Sequence, residues 1–226
     1  MIKVHYQNQD FMVVIKPEDV NFHCQENELG LIEQLRKQLE LEKIFPVHRL
    51  DKMTSGLLLV ALNLKTAQCF QQMFENREIE KYYLAVSNQK PKKKQGWIKG
   101  KMVPGRNGSW KFSNTEGRYA ATQFISISTQ PGERLYLLKP HTGRTHQLRV
   151  AMKSLSAPIC GDARYAQKTE ANQEQRGYLH AYGIKFALEN SLYEFVCLPE
   201  SGERFLSQAC CDVLIHWSKP WTLFKG

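Results

Sequence analysis

The chain has 226 residues, 42% hydrophobic and 23% charged, enough to bury a sizeable core in one large domain or two small ones. Its 31 Lys and Arg against 22 Asp and Glu leave a net charge of +9, which points to a polyanion such as nucleic acid, to an anionic membrane surface, or to basic solubility alone. No apolar run reaches the roughly 18 residues of a membrane span, the start Met1–Tyr6 lacks the form of a signal peptide, and the six Cys and seven His show no zinc-type spacing. The expectation is a cytoplasmic protein with reduced thiols, no metal and no membrane association.

In chain order, residues 2–6 and 11–16 read as short strands parted by the turn residues Asn8, Gln9 and Asp10, with Lys16-Pro17 closing the second. Leu31, Ile32, Leu35, Leu39 and Leu41 predict an amphipathic helix over 30–41. Residues 42–55 read as a loop. The apolar run Gly56–Leu62 then predicts a buried central strand. A helix over 64–76 and a strand from Lys81 to Val86 follow.

Residues 90–108 carry Pro, Gly and the basic cluster Lys90, Lys92, Lys93 and Lys94, and read as a hairpin or an exposed loop. That cluster is either a solvated tip or a phosphate contact. Strands are predicted at 118–128 and 133–140, a helix from Thr145 to Ser154, strands at 180–187 and 192–198, and a last helix over 202–217. Strands outnumber helices and come in hairpin-like pairs. The fold class is therefore α+β, a mixed, largely antiparallel central sheet flanked by helices, within one domain spanning 1–226.

Three segments carry candidate chemistry. The first is His48-Arg49-Leu50-Asp51-Lys52-Met53-Thr54-Ser55-Gly56, an acid in a loop at a strand end, where a rigid sheet can position a functional group. On spacing alone Asp51 reads first as a turn cap, with Thr54 and Ser55 completing a local hydrogen-bond motif. In the second, Lys81-Tyr82-Tyr83-Leu84-Ala85-Val86, alternation puts Tyr83 and Ala85 on one strand face and Tyr82 and Leu84 on the other. One tyrosine can line a cleft while the other packs. The third, Lys139 to Arg149, reads as a strand end, a Gly143 turn and a helix start whose backbone N–H groups and Arg and His side chains suit an anion.

Together these segments resemble the RluA-type pseudouridine synthases of the wider RluA/RsuA group. His48–Gly56 is similar to that family's HRLD-x-x-TSG signature, Lys81–Ala85 to its K-x-Y-L-A element, and Thr142–Arg149 to its TGRTHQ(I/L)R element. Weaker likenesses are Val13–Pro17, Ala157–Tyr165 and Leu179-His180-Ala181. The chain departs from the family at Ile15, where Asn is usual, at Asp19, where Gly is usual, and at Ala151, where His is usual. The small N-terminal S4-type RNA-binding domain of many relatives is not seen, so the catalytic domain itself is expected to supply RNA affinity.

The resemblance implies a pseudouridine synthase fold with a cleft for RNA, and conversion of a uridine in ribosomal or transfer RNA to pseudouridine without cofactor or metal. It assigns Asp51 as the nucleophile or ribose-directed base, acting at ribose C1′, at base C6 or on the C2′ proton, Arg144 as its ion-pair partner and Tyr83 as the residue stacked on the uracil. Arg49, Thr54, His146, Arg149 and Leu179 are the expected substrate-binding residues, with Leu179 an apolar wall. Arg49, Arg149 and Lys92 to Lys94 are expected to touch phosphates, the preferred target is a stem-loop, and a monomer is the expected state. The other readings are a non-catalytic RNA-binding module and a hydrolase, the latter lacking a second acid in a comparable motif.

Overall fold

The computed structural model describes residues 1–22, 24 and 28–224. Eleven strands are β1 (Lys3–Gln7), β2 (Phe11–Lys16), β3 (Phe45–Pro46), β4 (Ser55–Ala61), β5 (Glu80–Ser87), β6 (Gln95–Pro104), β7 (Trp110–Ser113), β8 (Arg118–Gln130), β9 (Glu133–Pro140), β10 (Leu179–Leu188) and β11 (Ser191–Val196). Among the described residues the α-helices are α1 (Leu31–Leu39), α2 (Leu64–Asn76), α3 (Gln147–Ser154), α4 (Lys168–Ala171), α5 (Glu203–Leu206) and α6 (Gln208–His216).

The strands join one sheet in the order β1-β2-β4-β10-β5-β9-β8-β6-β7, with β3 on β4 and β11 on β10. Among the described pairs only β4–β10 is parallel, so the sheet is mixed and largely antiparallel. The run Gly56–Ala61 is apolar at every position because both faces of β4 are covered. Leu58 and Val60 pack with Leu31 and Leu35 of α1. Leu57 and Leu59 pack with Phe70 and Met73 of α2. α3 lies on the β5–β9–β8 part, burying Leu148 and Met152 against the same core as Leu84, Phe124 and Leu137.

One expectation is narrowed and one changes. Of the two readings of residues 90–108, hairpin and exposed loop, the structure shows the hairpin: residues 95–104 form a ten-residue strand that pairs antiparallel with β7 and also with β8. Its alternation was broken by Gly96 and Gly100, which hid the period of two. The predicted helix over 202–217 is two helices, because Ser207 is extended and its side chain accepts from the Cys210 N–H, capping α6.

The β4–β10 junction fixes where the Asp51 loop enters the sheet. Gly56 has φ +103, and a Cβ there would lie 2.3 Å from the Ala181 carbonyl oxygen, so only glycine lets the strands approach this closely. Asp19, where the resembled family has Gly, also sits at positive φ (56°), a conformation Asp tolerates better than most residues.

Candidate active site

The loop between β3 and β4 is tied down by Lys16 from β2 and by its own His48 and Thr54. Lys16, at the end of β2, is fully buried and donates to the carbonyls of Pro17, Lys52 and Thr54, each at 2.8 Å. Burial lowers its ammonium to about 8, while Asp19 and Asp51 oppose the shift. His48 accepts from the Leu59 N–H through Nε2 at 2.9 Å and packs on Phe74. Its pKa is lowered to about 3, by burial first and then by Lys81, so the ring is a neutral acceptor. The Thr54 N–H closes a turn onto the Asp51 carbonyl at 3.0 Å.

Behind the loop, the Ser55 hydroxyl is 2.7 Å from Nδ1 of His180, whose Nε2 donates to the Cys197 carbonyl at 2.8 Å. That carbonyl can only accept, so Nε2 carries the proton and Ser55 donates to Nδ1. Arg176 donates to Ser55 and pairs with Glu18.

The second wall comes from the Thr142–Arg149 segment. Gln147 spends its whole amide on this turn. Its Oε1 accepts from the Thr142 hydroxyl and the Arg144 N–H, and its Nε2 donates to the Ala121 carbonyl and the Thr122 hydroxyl. His146 takes a left-handed conformation (φ 55°) at the start of α3, with Nδ1 2.9 Å from the Tyr165 hydroxyl. One helical turn on, Arg149 reaches Asp51: Nη1 lies 3.3 Å from Oδ2. The same guanidinium grips Asp162 at 2.8 and 2.7 Å and lies over the Tyr165 ring.

Asp162 is fully buried and also accepts from the backbone N–H groups of Arg164 and Tyr165. It is delivered by Gly161 (φ +76), where a Cβ would lie 1.9 Å from the Arg176 carbonyl oxygen. Burial pulls the Arg149 guanidinium down, but Asp162 and then Asp51 outweigh it and hold it above the ordinary arginine value.

A cleft of about 830 Å³ lies between the two walls. All eight residues expected at a site line it: Arg49, Asp51, Thr54, Tyr83, Arg144, His146, Arg149 and Leu179. Asp51, with 22% of its side chain exposed, also borders a second hollow lined by Arg49, Arg106, Arg164 and Lys168, so cations flank it on both sides. Tyr83 is half-buried, and burial, then the Asp51 charge, pushes its phenol above the ordinary tyrosine range. Its neighbour Tyr82 faces away, buried against Trp221 and Phe224, as strand alternation predicts. Lys81 also lines the cleft, its Nζ 5.1 Å from the Phe74 ring centroid, with its ammonium lowered by burial to about 8.

The expected Asp51–Arg144 pair is corrected. Arg144 lies before the turn is complete, at the cleft rim, and its Nε donates to the Tyr119 carbonyl at 3.0 Å. Arg149, on the first turn of α3, is the residue aimed inward. The motif holds two arginines, and nothing local in it tells which one faces Asp51. Sequence reasoning also missed Lys16, Gln147, Asp162 and Tyr165 as the groups that set the geometry. For Asp162 the signal was present, since Gly161-Asp162 stood in a segment already marked by resemblance. Among the described residues no group of three or more His, Cys, Asp or Glu side chains is placed to hold a metal ion.

Comparison with known proteins points to one family. Residues 10–154 match the family model described as RNA pseudouridylate synthase. A Haemophilus influenzae protein named an uncharacterized RNA pseudouridine synthase is 46% identical over 97% of this chain and 98% of its own. The ribosomal large subunit pseudouridine synthase D of Borreliella burgdorferi is 32% identical over 91% of this chain and 67% of its own. The tRNA pseudouridine synthase C of Haemophilus ducreyi is 30% identical over 84% and 87%. The solved structure of human RNA pseudouridylate synthase domain containing 1 superposes with a TM-score of 0.78 at 26% identity, covering 96% of this chain and 94% of that one.

Proposed function

The chain belongs to the RNA pseudouridylate synthase family, of the RluA type, and is by that membership an isomerase; from this premise we propose that Asp51 is the nucleophile that isomerises a uridine in ribosomal or transfer RNA. The observation that carries the reading is the Asp51 carboxylate held by Arg149 in a cleft that also presents Tyr83 and Leu179. In the reaction the bond from uracil N1 to ribose C1′ breaks and a bond from C5 to C1′ forms. The C5 proton leaves, N1 gains one, and no atom or electron enters from outside. What the reaction needs is a carboxylate that can add to carbon and leave again, and a pocket that holds the detached base away from water.

Arg149 orients the Asp51 carboxylate. Tyr83 stacks on the uracil and assists proton transfer at C5. Leu179 is the apolar wall beneath the ring. Thr54 shapes the turn, and Arg49, His146 and the rim guanidinium of Arg144 meet the RNA. The target nucleotide has to be flipped out of any helix, at a cost on the order of a few kcal/mol, which phosphate contacts offset. The relatives named for ribosomal and for transfer RNA support RNA of either kind as substrate. In this reading the enzyme works in the cytoplasm as a monomer, without cofactor.

A hydrolase of the paired-carboxylate type needs a second acid open to water or substrate. Asp162 is the carboxylate that shares Arg149 with Asp51, but it is fully buried and both of its oxygens are engaged. Release of free uracil from RNA would restore the hydrolase reading. The direct test is carbodiimide labelling and primer extension on RNA from cells carrying only the Asp51→Asn form. Loss of the modification is expected, and a full signal would refute the assignment.

A further inference from the structure

The net charge is concentrated in one part of the molecule. Residues 90–118 hold nine Lys and Arg against the single Glu116, so this stretch carries +8 of the net +9. The remainder, with 22 basic and 21 acidic residues, is almost balanced. The stretch comprises the loop into β6, the strands β6 and β7, and the turn into β8.

Strand alternation sorts its side chains cleanly. On the inner face Ile98, Met102 and Ala120 are buried, with Phe112 packed beside them and Val150 of α3 beneath. Gly100 makes room there for the Phe112 ring, since a Cβ would lie 2.7 Å from its edge. On the outer face stand Trp97, Lys99 and Lys101 of β6, with Tyr119 paired opposite Lys101 and Lys111 opposite Val103. Trp97 is 40% exposed and Tyr119 47%. An amphipathic sheet arm with an aromatic, cationic and acid-free outer face matches a polyanion that also offers flat rings.

This face is continuous with the cleft. The Trp97 ring packs on His141, with centroids 4.6 Å apart, and His141 lines the cleft beside Asp51. The Tyr119 backbone is bonded to Arg144 at the same rim. Lys99 Nζ lies 4.4 Å from the Trp97 ring centroid. A lysine over an exposed indole is held more weakly than a stacked base, so a nucleotide can replace the ammonium and leave it free for the adjoining phosphate.

We propose that the outer face of β6–β8 is the track for the RNA strand flanking the target: Trp97 stacks on an unpaired nucleotide near the one delivered to Asp51, and Lys99, Lys101 and Lys111 hold its backbone phosphates. The proposal rests on reading the cleft as the uridine site. Its test uses the intact chain carrying Asp51→Asn, so that binding is read without turnover. The probe is a fluorescein-labelled 20-nucleotide RNA, free or annealed to its complement.

Neutralising Lys99, Lys101 and Lys111 together to Gln is expected to weaken binding at least tenfold near 100 mM salt and to flatten the dependence of log Kd on log salt by about two. The same charge change at exposed Lys37, Lys43 and Lys65 should move neither. Trp97→Ala should weaken the single strand about five- to tenfold with the salt slope kept, the duplex much less, and Trp97→Phe should restore most of the loss. Equal losses from the two lysine triplets, or a Trp97→Ala effect identical on single strand and duplex, would overturn the proposal. Should wild-type protein form no pseudouridine on any RNA, the catalytic reading fails while these binding comparisons still decide the track.

Discussion

Asp51 lines the cleft and Trp97 packs on His141 at its edge, but the two stand on supports of opposite kinds. The Asp51 loop is bound on every side: Lys16 holds its carbonyls, Arg149 holds its carboxylate, and Ser55 at its end is locked to His180. The outer face of the β6–β8 arm is open, with its lysines and aromatics bonded to little besides one another and the rim. Chemistry on a detached base needs one carboxylate placed to within a fraction of an ångström, and buried polar networks supply that precision. Recognition of a flexible polyanion is instead a sum of exposed, individually weak contacts. The comparison predicts large, sharp losses when the first region is cut and graded, salt-dependent ones when the second is.

The largest expected effect follows Asp162→Ala. It strips a buried guanidinium of its main partner and should cost roughly 3–5 kcal/mol of stability, read as a fall in the urea midpoint, with pseudouridine formation lost as well. A stability within about 1 kcal/mol of wild type would show that Asp51 alone suffices to hold Arg149. Next is Lys16→Met, which leaves three loop carbonyls unsatisfied. Loop displacement of this kind is expected to lower kcat on the order of 10²-fold, more than it raises KM, and single-turnover kinetics separates the two.

Acid should then loosen the same region. His180 is buried and its pKa is lowered to about 4, chiefly by burial, partly offset by its bond to the Cys197 carbonyl. The unfolded ring, with a pKa of about 6.5, takes up a proton that the folded ring refuses. Stability from this residue is therefore complete above about pH 6.5 and falls toward pH 4, by on the order of 1 kcal/mol per unit. Urea midpoints between pH 7.5 and 5 test this, and His180→Gln should remove part of the slope. A midpoint that rises on acidification would contradict it. The smallest effect belongs to the arm: the Lys99, Lys101 and Lys111 triplet should raise KM for RNA more than it lowers kcat, and the difference should shrink at high salt.

Much of this was legible in the sequence, for reasons that differ by region. β4 stood out because a strand covered on both faces is apolar throughout, and β5 showed itself by placing Tyr82 inward and Tyr83 toward the cleft. All eight expected site residues line one cleft because each lay in a segment whose residue types were individually unusual. What was not legible is long-range. The hold of Lys16 on Thr54, of Gln147 on Ala121 and of Asp162 on Arg149 joins segments 38, 26 and 13 residues apart, and no local period encodes such partners. The choice between Arg144 and Arg149 failed for the same reason. The choice between hairpin and loop over 90–108 stayed open because Gly96 and Gly100 interrupt the alternation that Trp97, Lys99 and Lys101 carry.

The central claim is that the carboxylate of Asp51 performs the isomerisation. Moving C1′ onto C5 expels the hydrogen from C5, so RNA made with uridine tritiated at that carbon must release tritium to water. Wild-type protein in excess over unmodified ribosomal and transfer RNA transcripts should release it from a defined uridine. Asp51→Asn should release none while still binding the same RNA. Release by the Asn form at a rate near that of wild type would contradict the account.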